Sequence, residues 1–228
     1  MIAKALLFDY GGTLDSDGTT WLERFSSLYK EAGLDFPPHR FERAFYDADD
    51  NLAARHPLKG LDLEQTALLQ VRDVFSVLAP ERSGLAAPLA RRFSADCRRH
   101  FSKLRPVLER LSARYRLGIV SNFYGNLEGL LRAEGLLDLF SVIADSGDLG
   151  VAKPDPAIFL HAAKGVDADP RDCVMVGDSV NRDMKGAASV FMKTALIAPA
   201  PDAPRAGQDW TIRSALELES LFLVPTIG

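Results

Sequence analysis

Residues 6–15 read LLFDYGGTLD. An apolar run leads into one carboxylate, Asp9, and a Gly11-Gly12 pair follows at once. A continuous apolar run closed by turn residues is the pattern of a strand buried on both faces that delivers a polar side chain at its carboxyl end. The arrangement recurs downstream. LGIVS ends on Ser121, VIAD on Asp145 and CVMVGD on Asp178. TALIA (194–198) and DWTIR (209–213) predict two further strands. Helical patterns lie between most of these runs: PVLERLSARY, NLEGLLRAEGLL, PAIFLHAAKG and RDMKGAASV. Strands alternating with helices predict an α/β fold with a parallel sheet covered on both faces. Ligands bind such sheets at the carboxyl ends of the strands, near a topological switch point. Asp9, Ser121 and Asp178 fall there.

Residues 16–103 break the alternation. WLERFSSLYKEAG closes on Gly33, a C-terminal cap. PHRFERAFYDADDNLAAR starts behind Pro37 and Pro38 and stops before Pro57. DLEQTALLQVRDVFSVLA begins at Asp62, a good N-cap. A last helix covers LAAPLARRFSADCRRHFSKL, ahead of a separate PVLERLSARY helix. The expected organisation is a core of residues 1–15 and 104–228 with a helical insert over 16–103. The basic stretch RRFSADCRRHFSK (91–103) and the acidic run DADD (47–50) read as solvated helix faces.

The chain has 228 residues, 47% of them hydrophobic, with 27 basic and 31 acidic side chains for a net charge of −4. That balance argues against nucleic acid as a partner. No apolar run approaches the ~20 residues that span a bilayer. MIAKALLFDY lacks a small-residue cleavage site, so no signal peptide is expected. Cys97 and Cys173 share no CxxC or metal spacing, which fits free thiols in the cytoplasm. Oligomeric state is left open.

The chemistry-bearing residues form a set. A carboxylate at a strand end, Asp9, can attack phosphorus. The Gly11-Gly12 turn can aim backbone N–H groups at an anion. Ser121 can donate to a phosphoryl oxygen. Lys153, in the proline-stiffened VAKPDP, supplies positive charge. Asp155 caps the helix that opens at Pro156. GDSVNRD supplies Asp178 and Asp183, and carboxylate oxygens are what Mg²⁺ prefers.

These pieces, FDYGGTLD, IVSN, AKP and GDSVNRD in that order, resemble the four motifs of the haloacid dehalogenase-like hydrolase superfamily. SNFYGNLEGLL and SGDLGVAKPDPAIF resemble its capped small-molecule branch. The resemblance implies a Rossmann-like three-layer α/β/α core with an α-helical cap, Mg²⁺ as cofactor and a small phosphorylated metabolite as substrate. It implies that Asp9 is the nucleophile and a metal ligand. The Gly11 carbonyl and Asp178 would be further ligands. Asp183 would support the metal or hold Lys153. Ser121, Lys153 and the amide of Asn122 would bind the phosphoryl group.

One departure stands out. Family phosphatases carry a second Asp two residues after the nucleophile, as acid and base; here that place is Gly11. A positioned acid-base contributes about 10²- to 10⁴-fold, or about 3–5 kcal/mol of barrier. Asp15, Asp17 or a cap residue could substitute. The family's 2-haloacid dehalogenases have Tyr at that place, but Tyr10 is one position early and turns to the opposite face. Phosphonoacetaldehyde hydrolase has a small residue there and a Schiff-base lysine in its cap, for which Lys59 is the candidate. A non-catalytic phosphate-ligand binder is the third alternative. At ASVFMK, Phe191 stands where the family has a helix-ending Gly, so it must adopt φ > 0 or the helix must end differently.

Overall fold

The structure is a computed structural model and describes residues 3–199 and 207–223. β1 (Ala5–Phe8) opens the core. Four helices follow: α1 (Trp21–Glu31), α2 (Pro38–Arg55), α3 (Leu63–Leu78) and α4 (Ala86–Ser112). The chain continues through β2 (Arg116–Ser121), α5 (Leu127–Ala133), β3 (Val142–Asp145) and a single turn, α6 (Ser146–Leu149). Then come α7 (Pro156–Gly165), β4 (Cys173–Gly177), α8 (Lys185–Ser189), β5 (Lys193–Ile197), β6 (Trp210–Ile212) and α9 (Leu218–Phe222).

All six strands expected from the sequence form one parallel sheet in the order β3-β2-β1-β4-β5-β6. From β1 the chain winds one way to β2 and β3; β4, β5 and β6 lie on the other side. The switch point is therefore the seam between β1 and β4, and the carboxyl ends of those two strands frame a crevice. Asp9 and Asp178 are the first residues past them.

Side chains alternate across the sheet, as strand geometry requires. Leu6 and Phe8 enter one apolar cluster, with Ile119, Val174 and Val176. Ala5 and Leu7 enter the other, with Val120, Met175 and the α7 residues Ile158 and Phe159. The first cluster continues without a break into the helical insert, through Phe25, Phe45, Phe75 and Phe93. Phe25 and Phe93 stack with ring centroids 4.3 Å apart. Tyr10 is wholly buried in this cluster, against Phe101 and Phe123, on the face expected for it.

The helix signals behave as their chemistry dictates. Asp62 makes a capping box with Gln65, and Asp155 accepts from the Ala157 N–H at 2.8 Å. Gly33 sits past α1 at φ +78. One boundary differs. The two helices expected on either side of residues 104–106 are a single 27-residue helix, α4, with Pro106 inside it. Phe93, Phe101, Leu104, Leu108 and Leu111 form one buried stripe along α4. That shared burial outweighs the hydrogen bond lost at Pro106. Among the described residues no helix is long and apolar enough to cross a membrane.

Phe191 does take the left-handed conformation, at φ +65, with its ring 70% exposed. Its N–H donates to the Ala188 carbonyl at 3.0 Å, and the Met192 N–H to the Ala187 carbonyl at 3.1 Å, closing α8. A side chain in that conformation costs about 1 kcal/mol relative to glycine. Phe191→Gly is thus expected to raise the melting temperature by about 2–4 °C in a thermal scan. A fall would show that the ring's contact with Arg171 outweighs the backbone strain.

Candidate active site

The seam of β1 and β4 gathers the expected residues. Asp9 is held at the end of β1 by its own N–H, which donates to the Val176 carbonyl at 2.9 Å. Three groups converge on its Oδ1: Lys153 Nζ at 2.7 Å, the Ser121 hydroxyl at 3.0 Å and the Tyr10 N–H at 2.7 Å. Asp9 Oδ2 has no hydrogen-bond partner among the described residues. Lys153 also lies 2.6 Å from Asp183 Oδ1. Burial pulls the lysine pKa down, but Asp183 and Asp9 outweigh it and hold the ammonium above its ordinary value.

Asn122 clamps the lysine loop. Its amide nitrogen donates to the Lys153 carbonyl at 3.0 Å, and its amide oxygen accepts from the Lys153 N–H at 2.7 Å. Asp183 is held from its other oxygen by the Ser179 N–H at 2.9 Å. Its carboxyl packs on Gly177, where a Cβ would collide with it.

Asp9, Asp178 and Asp183 each bring an oxygen within 4.8 Å of the other two. This is the all-oxygen set that a hard divalent cation takes. Asp178 Oδ1 is buried without a partner among the described residues. Burial, with Asp9 and Asp183 close by, pushes the Asp178 pKa up to about 8. Burial likewise raises Asp183, against the pull of Lys153. Three carboxylates meet one ammonium, so the residues present fit a divalent cation.

The glycine pair divides its work differently from the expectation that both amides face an anion. Gly11 lines the cleft in front of Asp9. The Gly12 N–H is already given to Asp15 Oδ1 at 2.7 Å, and Gly12 does not line the cleft. It stands at φ +86, and a Cβ there would come within 2.5 Å of Asp178 Oδ2. Its role is to admit that carboxylate.

The two nearby carboxylates considered as replacements for the missing one are committed elsewhere. Asp15 is buried and accepts from Trp21 Nε1 at 2.6 Å and Arg24 Nη1 at 2.9 Å, besides Gly12. Asp17 accepts from the Ala215 N–H at 3.1 Å and lies 3.8 Å from His100. Neither lines the cleft. Trp21 stands beside Gly11: a Cβ at position 11 would lie in ordinary contact with its Nε1, at 3.5 Å. Lys59 is exposed and also outside the cleft.

The far wall comes from the insert and the loop after β2, with Trp21, Phe45, Asp49, Phe123 and Tyr124. Asp49 was not legible in the sequence. It belongs to the DADD run, whose Asp47 and Asp50 are indeed exposed, but it turns inward beside Phe45 and Ala48. The available signal was its place at the border of the Phe41-Phe45-Ala48-Leu52 stripe. The arginines of 91–99 lie on an exposed face, pairing with Glu64, Asp96 and Glu134.

A parallel sheet with carboxylates at its switch point and a helical insert over them is an α/β architecture with an acidic cleft at the carboxyl edge of its sheet. A sequence model of the haloacid dehalogenase-like hydrolases matches residues 3–190, and the chain belongs to that family. It is 32% identical over 188 residues to haloacid dehalogenase-like hydrolase domain-containing protein 3 of Danio rerio, covering 78% of each chain. It is 28% identical to a phosphoserine phosphatase of Thermus thermophilus, over 99% of this chain and 93% of the other. A crystal structure of a phosphatase of the family from Thermococcus onnurineus superposes with a TM-score of 0.57 at 25% identity, covering 96% of this chain and 97% of that one.

Asp15 bridges the core loop to α1 through a charge pair with both partners nearly buried. Breaking such a pair costs about 3–5 kcal/mol. Asp15→Ala is expected to lose that much stability in denaturant unfolding. A loss under about 1 kcal/mol, together with loss of activity, would give Asp15 a chemical role instead.

Proposed function

We propose that this hydrolase is a Mg²⁺-dependent phosphatase of a small phosphorylated metabolite, working through an aspartyl-phosphate on Asp9. The observation that carries the reading is the convergence of Lys153, Ser121 and the Tyr10 N–H on one oxygen of Asp9, with its other oxygen left open. Anchoring Oδ1 orients Oδ2 for in-line attack on phosphorus. Lys153, kept cationic by Asp183, and the Ser121 hydroxyl stabilise negative charge on the transferred phosphoryl group. Asn122 holds Lys153 in place from the backbone side. Asp9, Asp178 and Asp183, with the carbonyl of Gly11, would hold the ion. Mg²⁺ bound there supplies positive charge against the phosphoryl oxygens. The helical insert acts as a cap whose aromatic wall excludes water from the cleft. The fit with relatives named as phosphatases supports the same class of substrate.

The reading as a C–P hydrolase lacks its lysine, because Lys59 is exposed and Lys153 is committed to two carboxylates. A phosphate binder without turnover would have the same pocket, and activity separates the two.

Asp9→Asn is expected to abolish Mg²⁺-dependent phosphate release from p-nitrophenyl phosphate while leaving the circular dichroism spectrum unchanged. Release at the wild-type rate would end the nucleophile assignment. Saturating Mg²⁺, at about a hundredfold its dissociation constant, should stabilise the wild-type protein by about 2.7 kcal/mol. Asp178→Asn should lose most of that shift, and an undiminished shift would place the ion elsewhere.

A further inference from the structure

The cleft holds a carboxyl group that the nucleophile does not use. Asp49, on α2, reaches the cleft from the insert side, and Asp9 reaches it from the sheet. Asp49 Oδ1 accepts two hydrogen bonds, from Gln70 Nε2 of α3 at 3.0 Å and from the Tyr124 hydroxyl. Its Oδ2 has no hydrogen-bond partner among the described residues. The carboxyl is thus oriented by one oxygen and open at the other.

Elimination points the same way. Among the described residues, the titratable groups lining the cleft are Asp9, Tyr46, Asp49, Tyr124, Lys153 and Arg182. Lys153 is bound to two carboxylates. Tyr124 donates its proton to Asp49, and burial raises its pKa well above the ordinary value. Arginine does not give up a proton in a protein. Tyr46, on α2, is an exposed phenol at the rim of the cleft. Asp15 and Asp17 are engaged outside the cleft.

We infer that Asp49 is the general acid and base of this site, supplied from the insert in place of the carboxylate missing at Gly11. The inference rests on the phosphatase reading. In the first half-reaction the Asp9 oxygen forms a bond to phosphorus and the bond from phosphorus to the leaving oxygen breaks. The proton on Asp49 goes to that leaving oxygen. In the second half, a water oxygen bonds to phosphorus and the Asp9–phosphorus bond breaks. The water proton returns to Asp49, which restores the acid.

The surroundings favour a carboxyl that keeps its proton longer than usual. Burial raises the Asp49 pKa, the Tyr124 hydroxyl lowers it, the neighbouring Asp50 raises it and Arg182 lowers it, for a net rise. Gln70, facing it from α3, is neutral. A general acid works best with a pKa moved toward the operating pH.

The test compares leaving groups with Mg²⁺ present. Acetyl phosphate has a leaving group that needs no proton; an unactivated alkyl phosphate, such as glycerol 3-phosphate or a hexose 6-phosphate, does need one. Asp49→Asn keeps the size and both hydrogen bonds to the side-chain oxygen but carries no acid proton. It is expected to lower kcat/KM for the alkyl ester by about 10²- to 10⁴-fold. On acetyl phosphate, kcat/KM, which reports phosphoryl transfer to Asp9 and not its later hydrolysis, should fall far less, while kcat falls on both substrates because the base is lost. An unchanged circular dichroism spectrum and a burst of acetate release from acetyl phosphate show that the variant is folded and Asp9 still reacts. Equal kcat/KM losses on both substrates, or none on the alkyl ester, would overturn the acid role while leaving the phosphatase reading standing. If the wild-type protein releases phosphate from neither, both fall. Asp49→Glu, which keeps the acid with a longer reach, should retain more activity on the alkyl ester than Asp49→Asn. The reverse order would count against proton transfer.

Discussion

The ammonium of Lys153, shared between Asp9 and Asp183, is the interaction on which the rest of the site depends. Three carboxylates lie at the seam of two buried strands, where an unpaired charge would be costly. One buried cation at 2.7 and 2.6 Å from two of them makes that density tolerable. The loop carrying Lys153 cannot drift, because the Asn122 side chain holds it at both its N–H and its carbonyl. The sheet then has to leave room. Gly177 and Gly12 do this by lacking the Cβ that would strike Asp183 and Asp178. Charge pairing, loop clamping and the two glycines are therefore one requirement met at three levels of structure.

The indole of Trp21 lies beside Gly11 on the loop that follows Asp9. Its N–H goes to Asp15, which also takes Arg24. Trp21 and Arg24 are both on α1, so the first helix of the insert is tied to the loop that follows Asp9. Trp21 packs on Phe93 and Phe123, with ring centroids 4.8 and 5.8 Å away, and so joins the insert core to the cleft wall. One side chain thus anchors a helix and lines the site.

Much of this was legible in the sequence, for a physical reason. Strands of a parallel sheet are apolar on both faces, so LLF, LGIV, VIA and CVMV stand out, and each ends at the polar residue it delivers. Asp9, Ser121 and Asp178 could therefore be placed at one rim, whereas Lys153, on a loop, could be joined to them only through the family resemblance. Phe191 could be expected to strain because it stands where a helix must end. What could not be read depended on packing between distant segments. The Gly12 N–H could not be assigned to Asp15 without knowing how the turn closes. The continuity of α4 through Pro106 follows from a buried stripe shared by the insert and the sheet. Asp49 was hidden because local charge density makes DADD look like solvent-facing surface. Helix phase alone leaves it at the edge of an apolar stripe, and only the approach of Tyr124 and Gln70 turns that edge into a wall of the cleft.

With Asp49 as the proposed acid and base, its position changes what the insert would do in the reaction. A carboxyl two residues after Asp9 would move with it, and the two would keep their spacing whatever the insert did. A carboxyl on α2 keeps its spacing only while the insert is seated. The seating contacts are the Asp15–Arg24 pair and the aromatic core that runs from Phe8 to Phe93. Proton delivery and water exclusion then become consequences of the same packing. On that reading, phosphoryl transfer from a leaving group that needs no proton depends less on where the insert sits than transfer from an alkyl ester, while the later attack of water depends on it for both. On the proposed reading, the insert would favour substrates by whether their leaving group needs a proton.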